Sequence, residues 1–223
     1  MSRLYLIVDA DDTLWENNVY FEQAFEDFVA YLEHSTLNAP EIRAILDEIE
    51  LANARSHGYG SLNFGRNLQQ CYLKLAEREI GAEDLETVKG FALRILEQPL
   101  EIIPGVAETL EYLSARHDLT LFTKGHIEEQ KMKIERSGLG GFFAHTAIVK
   151  EKDVASYRQL VSQRGMDPAL AWMIGNSPKS DINLNAAFIP HTRTWTLERQ
   201  ELRPPGPGRL LILRSFADLR GVF

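Results

Sequence analysis

Short apolar runs at residues 4–8, 119–122, 146–149, 172–174, 192–196 and 210–213 set the tightest limit on how this chain can fold. Each has the length of a strand, and most lack the polar alternation of a strand with one wet face. Most are followed by helical periodicity: Val106, Leu110 and Leu113 share one face, as do Tyr157, Leu160 and Val161. Continuous apolar strands separated by amphipathic helices predict an α/β fold, a Rossmann-like parallel sheet covered on both sides.

The stretch from about Tyr20 to Glu97 follows another rule. Phe21, Phe25, Phe28 and Leu32 step along a helix, and so do Ile42, Ile45, Leu46 and Ile49. Leu68, Cys71, Tyr72 and Leu75 repeat the pattern, followed by Leu85, Val88, Ala92 and Ile95. No strand-like run interrupts them, which predicts four helices packed as a small bundle. Because the bundle begins soon after the first strand, it reads as an insertion. Residues 16–98 form the inserted helical domain, and residues 1–15 with 99–223 form the α/β core. The Pro104-Gly105 turn returns the chain to that core. The RPPGPGR stretch from Arg203 to Arg209 reads as a loop, since proline can join neither a helix interior nor a sheet ladder.

Composition narrows the partners. With 24 Lys+Arg against 32 Asp+Glu the net charge is −8, and no basic run stands out, which argues against a protein that coats nucleic acid. The longest apolar runs fall far short of a membrane span, and the first of them ends in Asp9, Asp11 and Asp12 rather than in a signal-peptide cleavage site. The single cysteine, Cys71, can form neither an intrachain disulfide nor a thiolate cluster, so a reducing cytoplasm is expected. Cys71 lies on the apolar face of its helix and reads as a small buried hydrophobe. The six histidines show no HxH or HExxH spacing, so no zinc site is expected. Small molecules are the expected partners, and the oligomeric state is not legible.

The chemistry concentrates where the first apolar run meets Asp9-Ala10-Asp11-Asp12-Thr13. Carboxylates at the end of a buried strand are costly unless a cation or a proton offsets them. Residues two apart in an extended chain face the same way, so Asp9 and Asp11 can address one point. The pair can hold Mg²⁺, or divide labour as nucleophile and general acid/base, or simply cap the next helix.

LYLIVDADDTLW resembles the first motif of the haloacid dehalogenase-like (HAD) superfamily, an apolar strand followed by DxDxT. The resemblance continues in order. Thr123, followed by Lys124 and Gly125, ends an apolar run, as the family's phosphate-binding Ser or Thr does. Of the two candidates for the family's lysine, Lys150 and Lys152, the second directly precedes Asp153, a helix N-cap, and is favoured. Gly175-Asn176-Ser177-Pro178-Lys179-Ser180-Asp181 resembles the acidic GDSxxSD loop, with Asn176 where a metal-ligating Asp is usual; Asp12 replaces a frequent Gly. An amide carbonyl can ligate Mg²⁺ without adding charge, which leaves Asn176 and Asp181 as rival direct ligands.

The resemblance implies an Mg²⁺-dependent hydrolase with a helical C1 cap, acting on a small phosphorylated metabolite. Asp9 would be the nucleophile. Asp11, initially protonated, would be the acid/base. Thr123, Lys124 and Lys152 would hold phosphate, and Asp9, Asp11, Asn176 and Asp181 would surround the metal. A phosphomutase, a dehalogenase or a low-turnover binding protein remain as alternatives. His126, just beyond Thr123, reads as a polar helix start. The segment from His57 to Gly65 reads as a flexible loop, with Tyr59, Asn63 and Arg66 as substrate-selecting candidates.

Overall fold

The computed structural model describes residues 3–204 and 206–223. Two compact units emerge, one of Met1–Asn18 with Leu100–Phe223 and one of Val19–Pro99.

The first unit is built on strands β1 (Tyr5–Val8), β2 (Asp118–Lys124), β3 (His145–Val149), β4 (Ala171–Gly175), β5 (Asn185–Phe188) and β6 (Leu210–Ile212). They form a parallel sheet in the order β3-β2-β1-β4-β5-β6. Leu6, Ile7 and Val8 of β1 are fully buried, so the central strand needs apolar residues at successive positions. The chain runs from β1 to β2 on one side and reaches β4 on the other. That reversal of strand order opens a crevice at the carboxyl ends of β1 and β4, where α/β sheets bind ligands. Both apolar layers are dense: Leu6, Val8, Trp15 and Leu110 anchor one, and Ile7, Phe122, Tyr157 and Met173 the other.

The second unit holds helix α2 (Ala39–His57), α3 (Ser61–Leu75), α4 (Ala82–Leu93) and nearly all of α1 (Asn18–Leu32). Asn38 and Glu41 form a capping box at the start of α2, with Pro40 in the first turn where its missing N–H costs nothing. Phe28, Leu46, Leu68 and Tyr72 are fully buried in the core of this bundle, each contributing roughly 2–3 kcal/mol of apolar burial. Cys71 is buried among them, and burial pushes its thiol up to about 12.

Back in the first unit, the layers over the sheet contain α5 (Val106–Ser114), α6 (Ile127–Ser137) and α7 (Val154–Arg164). Asp153 caps α7 by accepting from Ser156 N at 2.8 Å. No helix among the described residues is long and apolar enough to cross a membrane.

Two expectations require correction. Residues 192–196 form no strand, although Thr and Trp favour one; the neighbour of β4 is Asn185–Phe188, whose small Ala186 and Ala187 carry a weak apolar signal but fit a fully enclosed strand. Thr194 instead turns its hydroxyl to Asn176. The segment from His57 to Gly65 is mostly helical, because α2 runs through His57 and α3 starts at Ser61. Asn63 donates to the His57 carbonyl, and Arg66 donates to Asn63 Oδ1 at 3.0 Å. In the loop before β6, Gly206 adopts a left-handed φ of 54°, and Pro205 lies outside the described residues.

Candidate active site

β1 delivers Asp9 to the crevice, with the Asp9 N–H still donating to the Ile174 carbonyl of β4 at 2.9 Å. One carboxylate oxygen of Asp9 meets the Lys152 ammonium, and the other accepts from the Thr13 hydroxyl at 2.9 Å. Lys152 also pairs with Asp181 Oδ1 at 2.9 Å. Burial alone would lower the Lys152 pKa, but the charges of Asp181 and Asp9 hold it above its usual range. One ammonium thus serves two carboxylates and leaves the trio negative. Burial and the Asp9 charge push Asp181 up despite its ion pair.

Asn176 follows β4 and faces the same point. Its Oδ1 accepts from the Thr13 hydroxyl at 3.2 Å, while its Nδ2 donates to Thr194 Oγ1 at 2.9 Å. The amide oxygen therefore lies on the Asp9 side, and Asp9 and Asn176 present oxygens around one hydroxyl. Such hard oxygen donors, with excess negative charge nearby, fit Mg²⁺. Asp181 is turned away from this point: Oδ1 is on Lys152 and Oδ2 accepts from Ser177 N at 2.9 Å. This fold-back demands Gly175, because a Cβ there would run into the Asp181 carboxylate.

Asp11 stands apart from the trio, clamped from its own loop and from α6. Oδ1 accepts from the Trp15 indole at 2.7 Å and Oδ2 from Gln130 Nε2 at 2.7 Å, and Lys133 Nζ reaches both oxygens at 3.1 and 3.2 Å. All of these partners are donors. Three donors thus converge on its two oxygens and fix the orientation of the group. Thr123, the penultimate residue of β2, is buried, its hydroxyl making a long 3.5 Å contact to the Lys124 carbonyl.

A family model for haloacid dehalogenase-like hydrolases matches residues 5–187. The chain belongs to that family. A haloacid dehalogenase-like family hydrolase from Xanthomonas campestris is 26% identical over 99% of this chain and 90% of its own, with a TM-score of 0.84. The HAD-hydrolase candidate YfnB from Bacillus subtilis, bound to magnesium, is 16% identical over 100% and 99% of the two chains, with a TM-score of 0.70. A 2-haloacid dehalogenase from Pseudomonas syringae pv. Tomato is 20% identical over 99% and 98%, with a TM-score of 0.62. The latter two share the fold. No curated protein sequence matches the chain.

Other groups around this HAD-like site were not visible in the sequence. Lys124, expected on phosphate, is committed to carboxylates: Nζ lies 2.5 Å from Glu198 Oε1 and 3.4 Å from Glu151, and donates to Ser180 Oγ at 3.1 Å. Buried Glu198 also accepts from Ser177 Oγ at 2.6 Å and from the Ser180 hydroxyl. Burial would raise its pKa, but Lys124 and the two serines outweigh that and bring it to about 2. Glu198 sits in a short 3-10 turn, Thr196–Glu198, far along the chain from its partners, so no local spacing announces it. Gln130 and Lys133 do leave a trace, as polar residues three apart on the buried face of α6.

Asp12 takes φ 59°, the left-handed backbone that suits a glycine and that a short polar side chain tolerates. Burial pushes its carboxyl up to about 7, against hydrogen bonds from Asn18 N and Asn17 N. With Glu16 and His191 it forms a group whose ligand atoms lie within 4.8 Å of one another. Lys150 and His126 are exposed; His126 precedes α6 without a side-chain cap bond.

Proposed function

We propose that this HAD-like hydrolase is an Mg²⁺-dependent phosphatase that cleaves a small-molecule phosphomonoester through an aspartyl-phosphate on Asp9. The observation that carries the reading is a second carboxylate, Asp11, held by donors two residues beyond the Asp9–Lys152 pair. Displacement at a carbon–halogen bond releases halide, which needs no proton, whereas an alkoxide leaving from phosphorus does. An Asp11 built into the site therefore favours phosphoryl chemistry.

In the first half-reaction an Asp9 oxygen bonds to phosphorus as the ester P–O bond breaks, and Asp11 hands a proton to the departing oxygen. In the second, Asp11 takes a proton from the water that releases phosphate and regenerates Asp9. Asp11 enters the cycle protonated and regains from water the proton it gave to the leaving oxygen, so the two halves balance. Thr123 and Lys152 bind the transferring oxygens, so catalysis rests on positioning and charge. The Asp9 carboxylate, the Asp11 main-chain carbonyl and Asn176 Oδ1 would hold Mg²⁺, with Asp181 behind them through Lys152. Bound Mg²⁺ supplies the charge that offsets repulsion between Asp9 and a phosphate dianion. The net charge of −8 and the lone buried cysteine support a small metabolite rather than nucleic acid as partner, and a cytoplasmic setting.

The test is a panel of phosphate esters and 2-haloacids, with and without Mg²⁺, assayed for phosphate and halide. Phosphate release that depends on Mg²⁺ and disappears in a folded Asp9→Asn variant is expected, with a loss of roughly 10³-fold or more. Halide release without phosphate release would make the protein a dehalogenase. Neither product would leave a binding role.

A further inference from the structure

We propose that Lys133 is a positioning residue for Asp11, fixing the orientation from which that carboxylate exchanges protons with the leaving oxygen and the attacking water. The inference rests on the phosphatase reading and adds a residue that lies far from β1 in sequence. Lys133 belongs to α6, and its side chain is buried. A lysine so enclosed must be paired, and Lys133 bridges both oxygens of Asp11, Asn17 Oδ1 at 2.7 Å and Glu129 at 3.7 Å. The Asp11 carboxylate remains partly open, its side chain 22% exposed beside a lysine side chain only 9% exposed. The acidic group can therefore meet a ligand while its cationic partner is sealed behind it.

Asp11 lies in a turn beyond the end of β1, where no sheet ladder holds its side chain. Its rotamer is set by contacts alone. The Trp15 indole grips one oxygen, Gln130 the other, and Lys133 both. Gln130 needs room of its own: it also donates to the Lys124 carbonyl at 3.2 Å, and a Cβ at Gly125 would stand 2.7 Å from its amide nitrogen. With φ 148°, Gly125 is the residue that lets the β2–α6 turn pass this side chain. The turn after β2 thus serves Asp11 through α6 as well as carrying Thr123.

The experiment compares two esters of nearly the same shape whose leaving groups differ in basicity, phenyl phosphate and p-nitrophenyl phosphate. Phenoxide departs poorly without a proton, whereas p-nitrophenoxide departs readily. In Lys133→Met, kcat/KM for phenyl phosphate should fall roughly tenfold to a hundredfold, and that for p-nitrophenyl phosphate only about threefold or less. Competitive inhibition by inorganic phosphate should stay within about twofold, because ground-state binding uses other residues, and Lys133→Arg should restore much of the loss on phenyl phosphate. Gln130→Leu, which strips a different donor from the same carboxylate, should show the same split and serves if the Lys133 variant does not fold. Equal losses on both esters, or no loss on either, would overturn the role of Lys133 while leaving the phosphatase reading intact. A wild-type protein that hydrolyses neither ester, with or without Mg²⁺, would remove that reading and the proposal with it.

Discussion

Replacing Glu198 by Gln tests how the loop after β4 is held. In the native arrangement the carboxylate accepts from Lys124, Ser177 and Ser180, joining the end of β2 to residues 177–180. Its pKa falls from 4.5 to about 2 on folding, because these partners outweigh the burial that opposes them. A depression of that size favours the ionised native state by about 3 kcal/mol. The folded pKa lies below the unfolded one, so the stabilisation is complete above about pH 5 and drains away as pH falls towards 2. Linkage with these values leaves about 2 kcal/mol at pH 3.5 and about 1 kcal/mol at pH 3. Urea unfolding of wild type and Glu198→Gln, run side by side from neutral pH to about 3.5, isolates this group because the other carboxylates cancel in the difference. The Gln variant should be less stable by about 2–3 kcal/mol at neutral pH, and the gap should narrow by about 1 kcal/mol at the acid end. A gap that stays constant with pH, or none at all, would refute the assignment of Glu198 as an ionised anchor.

Three further outcomes follow from the same geometry. Lys152→Ala leaves Asp9 and Asp181 buried without their ammonium, so it should lose about 3–5 kcal/mol of stability as well as phosphate binding, whereas exposed Lys150→Ala should change stability by no more than about 0.5 kcal/mol; thermal melts and steady-state kinetics decide, and the reverse ranking would shift the motif by two residues. Asn176→Asp adds a charge where the amide oxygen faces Asp9, and should tighten Mg²⁺ by roughly tenfold in calorimetric titration; unchanged binding would mean that the side chain does not meet the metal. Gly175→Ala drives a methyl group into the Asp181 carboxylate and should cost about 1–3 kcal/mol in urea unfolding, while a neutral result would contradict the fold-back of Asp181.

Much of the fold was legible because burial on both faces imposes a local rule. A central parallel strand such as Leu6-Ile7-Val8 has no wet side, so it shows as an unbroken apolar run. The helical bundle declared itself by the spacing of Phe21, Phe25, Phe28 and Leu32, and the Asp153 cap by its place before α7. The failures share a cause. Strand β5 is made of small residues because it is enclosed, and small residues carry little propensity. Residues 192–196 have the propensity, but the place beside β5 is taken by β6.

The order of the motifs along the chain, with Asp9, Asp11, Thr123, Lys152 and Asn176 each at or just beyond the end of an apolar run, was determined by the sequence itself, because strand ends in such a sheet gather at one edge. What each side chain does there was decided only by tertiary contacts. Lys124 follows Thr123 directly, yet its ammonium goes to Glu198, and Asp181 turns from the Asn176 side towards Lys152 and Ser177 N. Lys133 reaches Asp11 across 122 positions of chain. The physical reason is that a buried charge must find its counter-charge wherever the fold brings one within reach. A strand's apolar period depends on neighbours a residue or two away, but ion pairs obey distance in space, and distance along the chain says nothing about it.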